Sequence, residues 1–376
     1  MATELPAGRR NELVDVRLEE ILPTAAVRKT KKRLVRRIGV DHSQTYRRGF
    51  QLAFLALNVV LGAKFYYWVR QFETGDLSQS LQRPAGVEGW LPIAGLMNLK
   101  YWILGGHIPQ VHPAAMFLLI SFLAMAFLLR KAFCSWLCPV GTLSEYLWKG
   151  GKKLFGWNLP LPRWIDLPLR GLKYLLLGFF VWAISTMSAV GIQDFMQSPY
   201  GLIADVKMLN FFRHIGETGL IVLGVFAAAS VFVPNFWCRF LCPYGALLGM
   251  VAFFSPARIR RKTEPCIDCG KCAKACPASL PVDKLVSIKS VECTGCLECV
   301  TVCPADSALY LGLPQFGAKK TRAIQGWAMA AAVAVLFFGV VGFAKATGHW
   351  QSPIPDASYQ VLVPHADEAA HPMTGR

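Results

Sequence analysis

Acidic residues are scarce in this 376-residue chain, which has 23 Asp and Glu against 40 Lys and Arg and a formal net charge of +17. It contains no Gly-rich phosphate loop and no dinucleotide fingerprint, which sets aside nucleotide-driven chemistry. It has no C-x-x-C-H run for covalent haem, and no nucleophile and base in a recognisable arrangement. Cysteines outside motifs are lacking as well, because all twelve fall into four runs. Apolar residues, by contrast, make up 54% of the chain, and its mean hydropathy is positive. A soluble basic protein of this size is not so apolar, and the composition points to a membrane protein.

Crossing a hydrocarbon core takes about 20 residues of helix. Apolar runs predict five spans, at roughly 50–69, 113–133, 170–190, 217–236 and 324–344. Lys64 in the first can snorkel to the headgroups beside Tyr66, Tyr67 and Trp68. The apolar segment Ile93 to Leu104 holds Lys100 and is followed by Gly105 and Gly106, so it reads as interfacial or re-entrant. Lys and Arg are concentrated in residues 1–48, 130–173 and 237–322 and sparse in 70–112, 191–215 and 345–376. By the positive-inside rule the basic segments face the cytoplasm, which puts the N-terminus inside and the C-terminus outside. The basic excess is then topological, and no nucleic-acid partner is predicted. Arg47 and Arg48 in "TYRRGFQL" resemble an export signal but read as inside anchors, because more spans follow. The tail after His349 reads as a loosely structured extension.

Eight cysteines lie in two tandem runs, "CIDCGKCAKACP" and "CTGCLECVTVCP", each with the C-x2-C-x2-C-x3-C-P spacing of bacterial ferredoxins. Three thiolates two residues apart wrap one cubane, and the fourth, before proline, reaches the other cluster. The spacing predicts one [4Fe-4S] cluster on Cys266, Cys269, Cys272 and Cys303, and a second on Cys293, Cys296, Cys299 and Cys276. Gly270 and Gly295 are expected where backbone presses on inorganic sulfide. A cytoplasmic location disfavours disulfides, and zinc sites do not need two identical four-cysteine runs. The segment is too short for a self-sufficient core, so cluster ligation is expected to supply much of its folding free energy.

The other four cysteines form a repeat. "FCSWLCPVG" and "WCRFLCPYG" align Cys134 with Cys238, Cys138 with Cys242, Pro139 with Pro243 and Gly141 with Gly245, each directly behind the second helix of a membrane hairpin. The first four spans are thus two tandem units in the same orientation. Cysteines four apart share a helix face, and the prolines are expected to break the helix at Cys138 and Cys242 and begin the next. If pseudo-symmetry joins the pairs, Cys134, Cys138, Cys238 and Cys242 make a metal or redox relay site. A further iron-sulfur centre, a redox-active dithiol or metal-docking set, and inert thiols are the open readings.

Two C-x3-C-P motifs behind membrane helices, followed by a two-cluster ferredoxin, resemble the NapH/MauN family of membrane-bound polyferredoxins. The same module occurs in the membrane regulator associated with nitrous oxide reductase, whose large extracytoplasmic flavin-binding domain this chain lacks. The resemblance covers about residues 50 to 345. It implies a multi-pass protein of the bacterial cytoplasmic (inner) membrane that carries electrons in support of periplasmic reductases or dehydrogenases. It would be an electron carrier or oxidoreductase component, with quinone or quinol, or a periplasmic redox protein, as partner. Metal handling for metalloenzyme maturation, by reduction at the membrane cysteines, and redox sensing are the alternatives.

His107, His112 and His214 lie near outer span ends, as candidates for quinol or haem contact or as ordinary interfacial histidines. Asp194 and Asp205 are candidate proton acceptors. The fold expected is an α-helical integral membrane protein of about five transmembrane helices, in two tandem hairpin repeats, with an inserted α+β two-cluster ferredoxin domain. Its expected parts are a basic cytoplasmic segment over 1–48, repeat 1 over 49–142, a cytoplasmic connection over 143–169 and repeat 2 over 170–256. The ferredoxin domain then covers 260–312, a transmembrane helix 324–345 and an extracytoplasmic tail 346–376.

Overall fold

The computed structural model describes residues 34–37, 39, 41–76, 81–159, 161–314 and 321–372, so most of the basic N-terminal segment lies outside the described residues. Helices stand at all five expected positions: Ser43–Thr74, Pro113–Leu129, Arg163–Thr186, Glu217–Phe232 and Gly326–Ala346. Among the described residues, three of them (the first, third and fifth) are long and apolar enough to cross a membrane. A fourth is added if Ala204–Arg213 and Glu217–Phe232, bent by 85°, count as one span.

Over 113–133 the helix is shorter than expected. That helix stops at Leu129, because Arg130 takes a left-handed φ of 64°. At 17 residues it falls short of the usual crossing length, yet it is apolar on every side. Such a helix belongs in the middle of a bundle, and this one packs against Pro92–Gly105, Pro243–Phe253 and Gly326–Ala346.

Residues 93–104 lie in the helix Pro92–Gly105, which starts with proline and ends at Gly106 in the left-handed region. Fourteen residues rise about 21 Å, less than the roughly 30 Å of a hydrocarbon core. Lys100 is held there by a specific job. Its Nζ donates to the carbonyls of Ile184, Ser185 and Met187 at 2.8, 2.9 and 2.6 Å, closing the C-terminal end of Arg163–Thr186, where carbonyls lack partners.

After the second repeat the chain forms a small antiparallel sheet of β1 (Arg258–Arg261), β2 (Leu309–Pro314) and β3 (Thr321–Ile324), with Ile259 opposite Leu311 and Leu311 opposite Ile324. Its apolar face has no separate core. Ile259, Ile288, Leu297 and Leu311 join Phe122, Trp136 and Met329 of the helical body in one buried cluster. The small iron-sulfur segment therefore draws packing from the helices beneath it.

Two sequence readings change here. The tail is folded: Asp356–Leu362 is a helix, and Tyr359 stacks edge-on against Trp68 at 4.9 Å between ring centroids. Lys207 Nζ also donates to the carbonyls of Ala366 and Ala369. Arg47, expected as an inside anchor, is fully buried among protein side chains, whereas Arg48 is exposed.

Candidate functional site

The two ferredoxin runs fold alike, residue for residue. The third position of each motif, Asp268 and Gly295, has φ of 53° and 65°, and the fifth, Gly270 and Leu297, has φ of 68° and 61°. Each fifth residue caps a single helical turn, Lys271–Lys274 or Glu298–Thr301. Left-handed residues of this kind turn successive backbone N–H groups toward one side, an arrangement that suits an anionic group. The positive φ at Gly270 by itself favours glycine there. At Gly295 a Cβ would also come within 3.1 Å of the Leu129 carbonyl.

Cys266, Cys269, Cys272 and Cys303 line one cavity, and Cys276, Cys293, Cys296 and Cys299 line a second. Each cavity thus takes three cysteines from one run and the last from the other. All eight are free thiols. Among the described residues no three His, Cys, Asp or Glu side chains form a group that could hold a single metal ion. The donor set, its spread around a cavity and the left-handed turns fit a polynuclear iron-sulfur cluster better than a mononuclear ion. Arg261 Nη1 donates to Cys266 Sγ at 3.4 Å in the first cavity.

The membrane repeats also fold alike. Cys138 and Cys242 are extended residues directly before helices Pro139–Phe155 and Pro243–Phe253, each with proline at its start. Their sulfurs accept from Gly141 N–H at 3.5 Å and Gly245 N–H at 3.2 Å, so each thiol caps a helix N-terminus, where negative charge is favoured. Cys134 lies in the short helix Ala132–Trp136, and Cys238 in the wider, π-type turn Trp237–Leu241. The four thiols are brought together. Cys134 is in electrostatic reach of Cys242, Cys138 of both, and Cys238 of all three. A cavity lined by Cys134, Cys238 and Cys296 lies between them and the second ferredoxin cavity.

That second run is bolted to the helical body by its own carbonyls. Ser135 Oγ donates to Thr294 O at 2.8 Å, Trp136 Nε1 to Gly295 O at 3.3 Å and Gln44 Nε2 to Cys296 O at 2.8 Å. Beside it, Arg47 reaches Glu145 at 2.6 and 2.7 Å and Glu298 at 2.8 Å, and Lys149 reaches the same two carboxylates at 2.6 Å each. Burial alone would raise the Glu145 carboxyl, but Arg47, with Lys149 behind it, holds it at about 2. Sequence reasoning missed this network. Its signal was the rarity of acids, since Glu145 is the only one between residues 130 and 165.

The three histidines are not brought together. His112 is buried, with Nε2 against Gly201 O at 2.8 Å and Nδ1 against Arg83 Nη2 at 3.0 Å. Both ring nitrogens are engaged, which leaves neither for a haem or a quinol. Asp205 is buried too, bonded twice by Arg83 at 2.9 and 2.7 Å, and so is not a loop proton acceptor. His107 is exposed on a cavity shared with His349, while His214 follows the helix Ala204–Arg213 and Asp194 is exposed.

A helical, membrane-type body that carries two four-cysteine cavities defines an iron-sulfur electron-transfer protein of the polyferredoxin class. A family model described as "4Fe-4S binding domain" matches residues 111–160 and 215–262, one copy on each C-x3-C-P repeat, and one described as "4Fe-4S dicluster domain" matches 258–309. The chain belongs to the NapH-type family of membrane polyferredoxins. YccM of Escherichia coli (strain K12), named as a candidate electron transport protein, is 52% identical over 331 residues, 88% of this chain and 93% of YccM. The ferredoxin-type protein NapH of the same organism is 26% identical over 179 residues, 46% of this chain and 57% of NapH. The regulatory protein NosR of Pseudomonas aeruginosa is 30% identical over 168 residues, 43% of this chain and 22% of NosR. No solved structure matches.

Proposed function

We propose that the chain relays single electrons between two [4Fe-4S] clusters on the cytoplasmic side and the membrane module, and from there to or from quinone or a periplasmic redox protein. Cys266, Cys269, Cys272 and Cys303 hold the first cluster, and Cys293, Cys296, Cys299 and Cys276 the second. The observation that carries this reading is the sorting of the eight cysteines into two cavities, each completed by the last cysteine of the other run. Bound there, such clusters accept and release one electron at potentials set by hydrogen bonds, charge and burial.

The chain's own residues set those surroundings. Arg261 donates to a ligand sulfur of the first site, while the carbonyls around the second are fixed by Ser135, Trp136 and Gln44. The first site includes the exposed Cys269, which suits exchange with a partner in solution. The second is seated on the membrane repeat. The protein belongs in the bacterial inner membrane, with its N-terminus and both cluster sites inside and its C-terminus outside.

Redox-poised EPR of the purified protein tests the assignment. Cys266→Ala and Cys303→Ala are expected to remove the same cluster signal, and Cys276→Ala the signal that depends on Cys293. Loss of the second signal alone in Cys303→Ala would overturn the crossed ligation.

A further inference from the structure

We propose that Cys134, Cys138, Cys238 and Cys242 together hold one [4Fe-4S] cluster shared between the two membrane repeats, with Lys131 and Lys173 as its buried counter-cations. The inference rests on the iron-sulfur reading of the chain but not on which thiols ligate the ferredoxin clusters. Each copy of the repeat has only two cysteines, so neither can complete a four-thiolate site alone. The fold supplies the other half, because the first cysteine of each repeat lines the same cavity. The second cysteine of each caps a helix N-terminus through sulfur. In both repeats the glycine after the motif lies over the carbonyl of the first cysteine, which a Cβ added at Gly141 would clash with and one added at Gly245 would meet at 3.6 Å.

Charge is the independent observation. Lys173 donates to both oxygens of Glu292 at 2.7 Å, and Lys131 lies 3.7 Å from the same carboxylate, so two lysines share one acid. Next to them Arg170 and Arg239 share Asp166, each at 2.5 Å. Lys131, Lys173, Arg239, Glu292 and Asp166 are all less than a tenth exposed, and Arg170 is largely covered. Four cations against two carboxylates leave two positive charges unmatched in a buried place. Arg130, also buried, donates to the carbonyls of Ala252 and Ser290 and adds to the imbalance. Burying unpaired charge is costly, so such an excess calls for a compensating anion.

The groups facing that excess are the four membrane thiols and, on the Arg239 side, Cys276 of the second ferredoxin site. Lys131 is in electrostatic reach of Cys134, Cys238 and Cys242, and Lys173 of Cys134 and Cys242. An oxidised cubane on four thiolates carries about two negative charges, enough to offset the two unmatched charges of the Lys and Arg cluster, while Arg130 stays on its carbonyl acceptors. The neighbouring network shows that the excess is local, since Arg47 and Lys149 are matched one for one by Glu145 and Glu298. Lys131 and Lys173 touch no ligand run of the ferredoxin sites directly, and their role is to position and neutralise.

The test is iron and sulfide content with redox-poised EPR on the full chain, purified without oxygen. Wild type is expected to hold about twelve iron and twelve sulfide per chain. Cys138→Ser and Cys242→Ser should each lose the same third signal and about four iron, with both ferredoxin signals kept. Lys173→Gln should shift the midpoint of that third signal to lower potential, with Lys173→Arg restoring it, and Lys131→Gln serves if Lys173→Gln does not insert. Both ferredoxin signals with about eight iron, or with bound zinc or copper at these thiols, would overturn the inference and leave the ferredoxin reading standing. An unmoved midpoint in Lys173→Gln and Lys131→Gln would overturn the counter-cation role. Absence of every cluster signal would overturn both readings at once.

Discussion

Trp136 donates its indole N–H to the carbonyl of Gly295 at 3.3 Å, tying the first membrane repeat to the left-handed turn inside the second ferredoxin motif. Trp136 is fully buried two residues before Cys138, and Gly295 sits between Cys293 and Cys296. One hydrogen bond therefore links the two cysteine systems. Trp136→Phe keeps most of the packing but strands a buried acceptor, a loss of about 1–3 kcal/mol. Faster loss of the second cluster than of the first is the expected outcome, followed by absorbance and EPR during mild chelation. Equal loss of both would assign Trp136 to global packing.

The repeats differ in how tightly they hold their glycine. A Cβ on Gly141 would sit 2.2 Å from Cys134 O, whereas one on Gly245 meets Cys238 O at 3.6 Å, an ordinary contact. Gly141→Ala is expected to displace the first C-x3-C-P loop and cut the yield of folded protein, and Gly245→Ala to be close to neutral. Detergent size-exclusion profiles and thermal unfolding measure the difference.

Acid should loosen the junction around Arg47. Glu145 is held at about 2 in the folded protein against an ordinary 4.5. A depressed carboxyl stabilises the fold above the ordinary value, and that contribution is lost as pH falls from 4.5 toward 2. The full contribution is up to about 3 kcal/mol. Thermal midpoints between about pH 6 and pH 3 should fall less steeply in Glu145→Gln than in wild type. Arg47→Met leaves two partly buried carboxylates to Lys149 alone and should cost up to about 3 kcal/mol at neutral pH.

Orientation has its own test. A reporter active only outside the cytoplasm should work when fused after Trp350 and fail near Lys319, a residue outside those described. Activity at both positions, or at neither, would show a span more or fewer, with the helix Pro92–Gly105 or the short Pro113–Leu129 responsible.

The cysteine motifs were legible because covalent spacing carries their meaning. C-x2-C-x2-C-x3-C-P fixes which thiols can reach one cavity whatever surrounds it, and the C-x3-C-P copies announce themselves by repetition. The Pro139 and Pro243 helix starts followed from the same local rule. Less legible were features set by partners far along the chain. Arg47 read as an anchor because nothing local shows that Glu145 and Glu298 will meet it. Pro113–Leu129 read as a longer helix because hydropathy does not show where Arg130 turns the backbone. The tail looked featureless because Tyr359 has value only against Trp68. Leu297 gave no hint of its left-handed backbone, which only alignment with Gly270 in the sister motif suggests.

Electron passage through the membrane cysteines is the claim on which the account turns, and proteoliposomes test it directly. The reaction is one-electron reduction of the ferredoxin clusters by a quinol analogue, or their oxidation by a quinone. Cys138→Ser and Cys242→Ser should each abolish it while ferredoxin absorbance and membrane insertion persist, and the double variant should be no worse, because four ligands from two repeats act as a unit. Near wild-type rates in both single variants would contradict the relay and leave these thiols a structural role.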